Sequence, residues 1–336
     1  MKRRNSDYVV ILLKGMFMGA IDAVPGVSGG TIALVTGIYE ELIGSISNVN
    51  LKTFKSLRYN SLDVFWKELN GSFLLSLLVG MGIGFLTLMN FVQYTLENYT
   101  IQTWSFFLGL VIGSGLLVIK KVKVWSFSYL IVFVLGLYTV YMLTKLPIIN
   151  TESSPYFLFF VGFIGVCAML LPGISGSLLL LLLGVYKTLK DSISNIEVMN
   201  LSLFALGAIF GLMTFSKLIK WLLRSYSSAT YALLAGFVFG SVNKLWPWKE
   251  TIKVLNNQTL EIINLNSVTH LGSLNVFQNQ ENDYESFSAI LESNISPFKY
   301  SLINKGEHSY LLCSIILFFV GVSLIMLIEK ISYKSK

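Results

Sequence analysis

Apolar residues run along this chain in long blocks separated by short polar links, and the blocks are too continuous for helices with one wet face. The first, Val9 to Val24, is broken by Pro25-Gly26 and resumes over Thr31 to Ile46. Three further runs follow a polar loop over residues 48–71: Ser72 to Phe91, Thr103 to Ile119 and Trp125 to Leu143. After a link from Thr144 to Pro155 the pattern restarts with a broken run over Tyr156 to Lys190, then Leu201 to Leu223, Ala229 to Trp246 and Ser309 to Ile328. At 1.5 Å per residue, the 16 residues from Val9 to Val24 reach about 24 Å, short of a hydrocarbon core of about 30 Å. Two short helices meeting at a Gly-rich break read best as a re-entrant hairpin, with two tilted full spans as the alternative. The other runs read as transmembrane helices.

The breaks repeat. Pro25-Gly26-Val27-Ser28-Gly29-Gly30-Thr31 leads to Gly37-Ile38-Tyr39, and Pro172-Gly173-Ile174-Ser175-Gly176-Ser177-Leu178 leads to Gly184-Val185-Tyr186, at a constant offset of 147. Beyond them, Gly80-x3-Gly84 and Gly109-x3-Gly113-Ser114 match Gly207-x3-Gly211 and Gly236-x3-Gly240-Ser241 at an offset of 127. The difference, 147 − 127 = 20, is the length of the polar loop that the second half lacks. The expected organisation is therefore a first repeat over 1–150, with hairpin 9–47, and a second over 151–336, with hairpin 156–190. An insertion over 249–307 precedes the last span. It is read as a small outer cap or a partly disordered loop. Such small-xxx-small pairs let helix backbones approach closely.

Composition fixes the solvent. With 54% hydrophobic and 13% charged residues, against about 25% charged in soluble domains, this is an integral membrane protein of all-α class. Cys167 and Cys313 lie in apolar runs without ligand spacing, so they read as buried thiols, with no disulfide and no metal. The net charge of +7 comes from short basic clusters between apolar runs, which argues for topology and against nucleic acid. With the N-terminus inside, sixteen basic residues fall on cytoplasmic loops and span ends, Lys2, Arg3, Lys120, Lys217 and Arg224 among them, against four outside: Lys145, Lys187, Lys190 and Lys244. Both termini are expected in the cytoplasm. Each half then crosses an odd number of times, so the halves form inverted repeats whose breaks meet near the midplane, as in transporters with broken helices.

The helices after the breaks begin at Ser28-Gly29-Gly30-Thr31 and Ser175-Gly176-Ser177, and their free N–H groups make anion sites. Gly26, Ser28, Gly29, Gly30, Thr31, Gly173, Ser175, Gly176 and Ser177 are the candidate phosphate-binding residues, and no carboxylate lies within either heptad to compete. Lys14 is read as pairing with phosphate or with Asp22, or as snorkelling to the interface; Asp22 as a proton carrier or a turn residue. Glu40 and Glu41 read as solvated, and Lys187 and Lys190 as attractors of an anionic headgroup or as interface anchors. Trp125, Trp246 and Trp248 fit interfacial belts. No Ser-His or Cys-His arrangement can be placed at membrane depth, so no enzyme and no cofactor is expected.

With Met18-Gly19-Ala20 leading into the first motif and Gly-Ile/Val-Tyr closing each, the chain resembles, over essentially its whole length, the bacterial membrane family long labelled domain of unknown function 368. The resemblance implies a flippase of the bacterial cell membrane that returns undecaprenyl phosphate, the lipid carrier of cell-wall synthesis, from the outer to the inner leaflet. Spacing alone says anion, and a transporter or channel for a small soluble anion is the other reading. Lys14, Asp22 and Glu40 have Val161, Met169 and Lys187 as their counterparts, so any charged roles are asymmetric.

Overall fold

The computed structural model describes residues 3–22, 28–50, 53, 61–146, 154–256, 262–264, 287–303 and 309–334. The first half runs α1 (Asn5–Asp22), α2 (Gly29–Val35), α3 (Tyr39–Ser47), α4 (Leu62–Glu68), α5 (Gly71–Asn98), α6 (Thr100–Lys120) and α7 (Phe127–Leu143). The second runs α8 (Pro155–Leu170), α9 (Gly176–Leu182), α10 (Tyr186–Ser194), α11 (Val198–Ser225) and α12 (Ser227–Leu245). It continues through β1 (Lys249–Asn256), β2 (Ile262–Asn264), β3 (Phe287–Asn294), α13 (Pro297–Ile303) and α14 (Leu311–Lys334). Among the described residues four helices are long and apolar enough to cross a membrane: α5, α6, α11 and the first twenty residues of α14. Cys313 is exposed on α14 and Cys167 half-buried in α8, so neither is the buried thiol expected.

The expected helix over Thr31 to Ile46 is in fact two. Gly37 stops α2 at φ 74°, and Gly184 stops α9 at φ 71°. In both places the residue after the glycine bonds back five positions, Ile38 N–H to the Ala33 carbonyl at 3.0 Å and Val185 N–H to Leu180 at 3.1 Å. This Schellman-type closure needs a left-handed residue just past the helix, which is what the glycine of each Gly-Ile/Val-Tyr supplies. Among the described residues each broken run therefore has three helical pieces, and the lengths of the second and third recur: seven residues in α2 and α9, nine in α3 and α10. The helices that follow, α5 and α11, have twenty-eight each.

Glycine places these helices against one another. A Cβ on Gly80 of α5 would collide with the Leu12 carbonyl of α1, and one on Gly15 with the Leu77 carbonyl. In the second half Gly207 meets Phe159 and Gly162 meets Phe204 in the same way, at the offsets of 127 and 147. The last helices are exchanged. Gly136 of α7 lies on Leu233 and Gly236 on Phe133, so α7 packs on α12; Gly321 of α14 lies on Phe106 and Gly109 on Phe318, so α14 packs on α6. With α6 also packed on α12, these four helices join the halves. Helix α2 is buried along its whole length, against α1, α6 and α8.

The all-α expectation fails in the insertion, where β1 pairs antiparallel with β2 and β3. Thr251-Ile252-Lys253-Val254 is β-branched at three of its four positions and suits a strand. Trp246 and Trp248 tie into this cap: their indoles donate to the Ile295 carbonyl at 2.8 Å and the Ser309 carbonyl at 3.0 Å, and their rings meet edge-on at 5.6 Å. Glu292 of β3 lies between Lys244 at 3.0 Å and Lys249 at 3.2 Å. Burial pushes its carboxyl up, but the two ammonium groups win and hold it below the usual glutamate range.

The packing predicts a contrast between two glycines. Gly236→Leu must displace backbone of α7 and should cost about 1–3 kcal/mol or more, lowering the thermal unfolding temperature of the detergent-purified protein. Gly82→Leu, at a position with nothing within 4 Å, should leave it unchanged.

Candidate functional site

A seven-residue helix has orphan N–H groups at one end and orphan carbonyls at the other, and both ends of α2 are served by side chains. At its N-terminus, Gly29 N–H donates to Asp22 Oδ1 at 2.6 Å and Gly30 N–H to Ser28 Oγ at 3.2 Å. The carboxylate comes this close because residue 29 has no side chain: a Cβ there would stand 2.5 Å from Asp22 Oδ2. That second oxygen is buried without a hydrogen-bond partner among the described residues. The expectation that no carboxylate competes for these donors is thus corrected. Asp22 lies outside the heptad in sequence but folds back onto it.

At the C-terminus of α2, Lys14 Nζ donates to the Thr36 carbonyl at 2.8 Å and Lys121 Nζ to the Leu34 carbonyl at 3.2 Å. A carboxylate at the positive end and two ammonium groups at the negative end complement the helix dipole. The Lys121 ammonium also stands 5.2 Å over the Tyr231 ring, and the Tyr231 hydroxyl donates to Glu40. Glu41, read as solvated, accepts from Arg3 at 2.6 and 2.5 Å and from Asn70 at 2.7 Å.

The two breaks touch. Helix α8 ends at Leu170, and its last carbonyls receive donors from the first hairpin: the Tyr39 hydroxyl reaches Leu170 at 3.0 Å, and Ser28 Oγ lies 3.3 Å from the Leu171 oxygen and 3.5 Å from that of Met169. In return Gly173 N–H donates to Thr31 Oγ1 at 3.1 Å. Gly173 itself has φ 83°, and a Cβ on it would lie 2.6 Å from the Phe237 backbone of α12. Ser175 is buried, and a Cβ on Gly176 would lie 3.0 Å from the Gly165 carbonyl oxygen. Gly26 and the side chains of Ser177, Lys187 and Lys190 lie outside the described residues.

Beside the contact lies a cavity of about 370 Å³, within the range of small-ligand sites. Asp22, Gly30 and Tyr39 stand at its wall near the breaks, and the remaining wall is apolar: Leu42 and Ile46 of α3, Leu77 and Met81 of α5, Met169 of α8, Leu212 of α11. Unbranched methionines give such a wall adaptability. Sequence reasoning did not select Tyr39, Lys121 or Tyr231. For Tyr39 the signal was present, since the tyrosine recurs in both motifs; for the others it was not.

The family model "VCA0040-like: Undecaprenyl phosphate translocase-like" matches residues 18–263. The chain is 33% identical to a polyprenyl-phosphate transporter of Vibrio cholerae over 334 residues, 99% of this chain and 100% of that one. It is 34% identical to a polyprenyl-phosphate transporter of Staphylococcus aureus over 256 residues, 70% of this chain and 85% of that one. No solved structure matches it. From the length of the match and the identity over nearly the whole chain, this membrane protein belongs to the undecaprenyl phosphate translocase-like family.

Proposed function

We propose that the protein moves undecaprenyl phosphate from the outer to the inner leaflet of the bacterial cell membrane, as two inverted repeats with re-entrant hairpins and both termini in the cytoplasm. The observation that carries this reading is the cavity at the breaks: a carboxylate and a helix N-terminus at one wall, and hydrocarbon elsewhere. A small soluble anion would find nothing to bond along leucine and methionine. A lipid phosphate has a part for each surface.

The headgroup takes the place that Asp22 holds. Gly29 and Gly30 N–H, with the Ser28 and Thr31 hydroxyls, bind it from one half of the chain; Gly173, Ser175, Gly176 and Ser177 bind it from the other, and Gly26 completes the set. No bond is made or broken. An ionised Asp22 keeps the Gly29 N–H occupied and repels a phosphate, whereas a protonated Asp22 releases both the donor and the charge. Substrate binding is then linked to uptake of one proton. Lys14 and Lys121 hold the far end of α2 while its N-terminus changes partner, and Glu40 fixes Tyr231 beneath Lys121. Lys187 and Lys190 gather headgroups at the outer surface.

Two outcomes are expected. In proteoliposomes carrying a fluorescent polyprenyl phosphate, wild-type transport should rise as pH falls, because a protonated Asp22 frees the α2 N-terminus; Asp22→Asn, permanently neutral, should lose that dependence. An Asp22→Asn protein with the wild-type pH profile would remove the proton from the mechanism. Ser28→Ala with Ser175→Ala should slow transport about tenfold or more, each lost hydrogen bond being worth about 1–3 kcal/mol. Transport at the wild-type rate by this folded double variant would move the headgroup away from the breaks.

A further inference from the structure

A second cavity, of about 510 Å³, opens between the end of α3 and the last turns of α11. Lys217, Lys220 and Arg224 line it, and their spacing of three and four places all three cations on one face of the helix. Opposite them stand Ser47 and Asn48. Lys220 Nζ donates to Ser47 Oγ at 2.8 Å and to Asn48 Oδ1 at 3.2 Å, both neutral acceptors. No carboxylate lines the cavity among the described residues, so its positive charge is not balanced from within. The two cavities share their walls. Ile46 of α3, Val49 just past its end and Met213 of α11 face the apolar one, each within a few residues of Ser47, Asn48 and Lys217 in the basic one.

The first half does not repeat this feature. At the offset of 127, Asn90, Gln93 and Glu97 of α5 stand where Lys217, Lys220 and Arg224 do, and Gln93 donates to Glu97 at 2.8 Å. A positive-inside bias alone would place cations near the end of α11. It does not demand a polar wall facing them, or an apolar cavity adjoining them.

We propose that this pocket binds a phosphate monoester, the headgroup of the transported lipid, at the cytoplasmic end of its path, while the first isoprenoid units lie in the apolar cavity. The inference rests on the transport reading above. A phosphate monoester carries about −1.5 to −2 charges near neutral pH, and three donors of opposite charge form short, strong hydrogen bonds with it. Because the first half has amides and an acid at the equivalent place, the headgroup is retained at one end of the path and not at the other. Exposed charges give binding that weakens as ionic strength rises.

The test is binding to the full-length protein in detergent, with undecaprenyl phosphate, undecaprenol and inorganic phosphate as probes. K217Q/K220Q/R224Q should lose about tenfold or more in affinity for undecaprenyl phosphate with its weak undecaprenol binding unchanged. K120Q/K123Q/K330Q, with the same loss of charge elsewhere, should bind as the wild type does. Thermal unfolding of each variant confirms that it is folded. If the folded pocket variant binds undecaprenyl phosphate as tightly as the wild type, the pocket is not a headgroup site. If inorganic phosphate binds the wild type as tightly as the lipid does, the pocket serves a free ion and the lipid assignment falls. A wild-type protein that ignores undecaprenyl phosphate while transport is also absent overturns the transport reading itself.

Discussion

A helix that ends buried in a protein leaves carbonyls with no water to bond, and the contact between the two breaks answers that constraint. The carbonyls at the end of α8, of Met169, Leu170 and the following Leu171, are met by Ser28 and Tyr39 from the other half of the chain. The Gly173 amide is met in turn by Thr31. Neither break is satisfied alone. Each completes the other, so the Gly-rich segments hold the halves together.

Close backbone packing gives that contact its frame. Gly15 and Gly80 bring α1 onto α5, Gly162 and Gly207 bring α8 onto α11, and the exchange of α7 and α14 ties each half to the centre of the other. Lipid tails offer helices no hydrophobic reason to associate, so small residues and the dispersion contacts they allow must do it. Within this frame α2 is short, buried and polarised, with Asp22 at its positive end and Lys14 and Lys121 at its negative end. One oxygen of Asp22 is bonded to the Gly29 N–H, and the other is buried without a donor among the described residues.

The sequence by itself determined the membrane class, the doubled motif and the pairs of small residues, because those depend on composition and period alone. Apolar runs of fixed length report spans, and a repeated Pro-Gly-x-Ser-Gly reports backbone that must leave a helix. It also carried the family resemblance, which the comparisons bear out.

Only the tertiary structure decided which groups meet. Asp22, which the sequence places outside the motif, reaches Gly29 within it, and Lys14 turns to a helix end that no spacing announces. The split at Gly37 turns on the sign of one φ angle. The sheet in the insertion depends on pairing between β1 and β3, segments some thirty residues apart, and the basic pocket on α3 of one half reaching α11 of the other. Patterning along a chain records the solvent each residue prefers. It does not record which distant partner stands in that solvent's place.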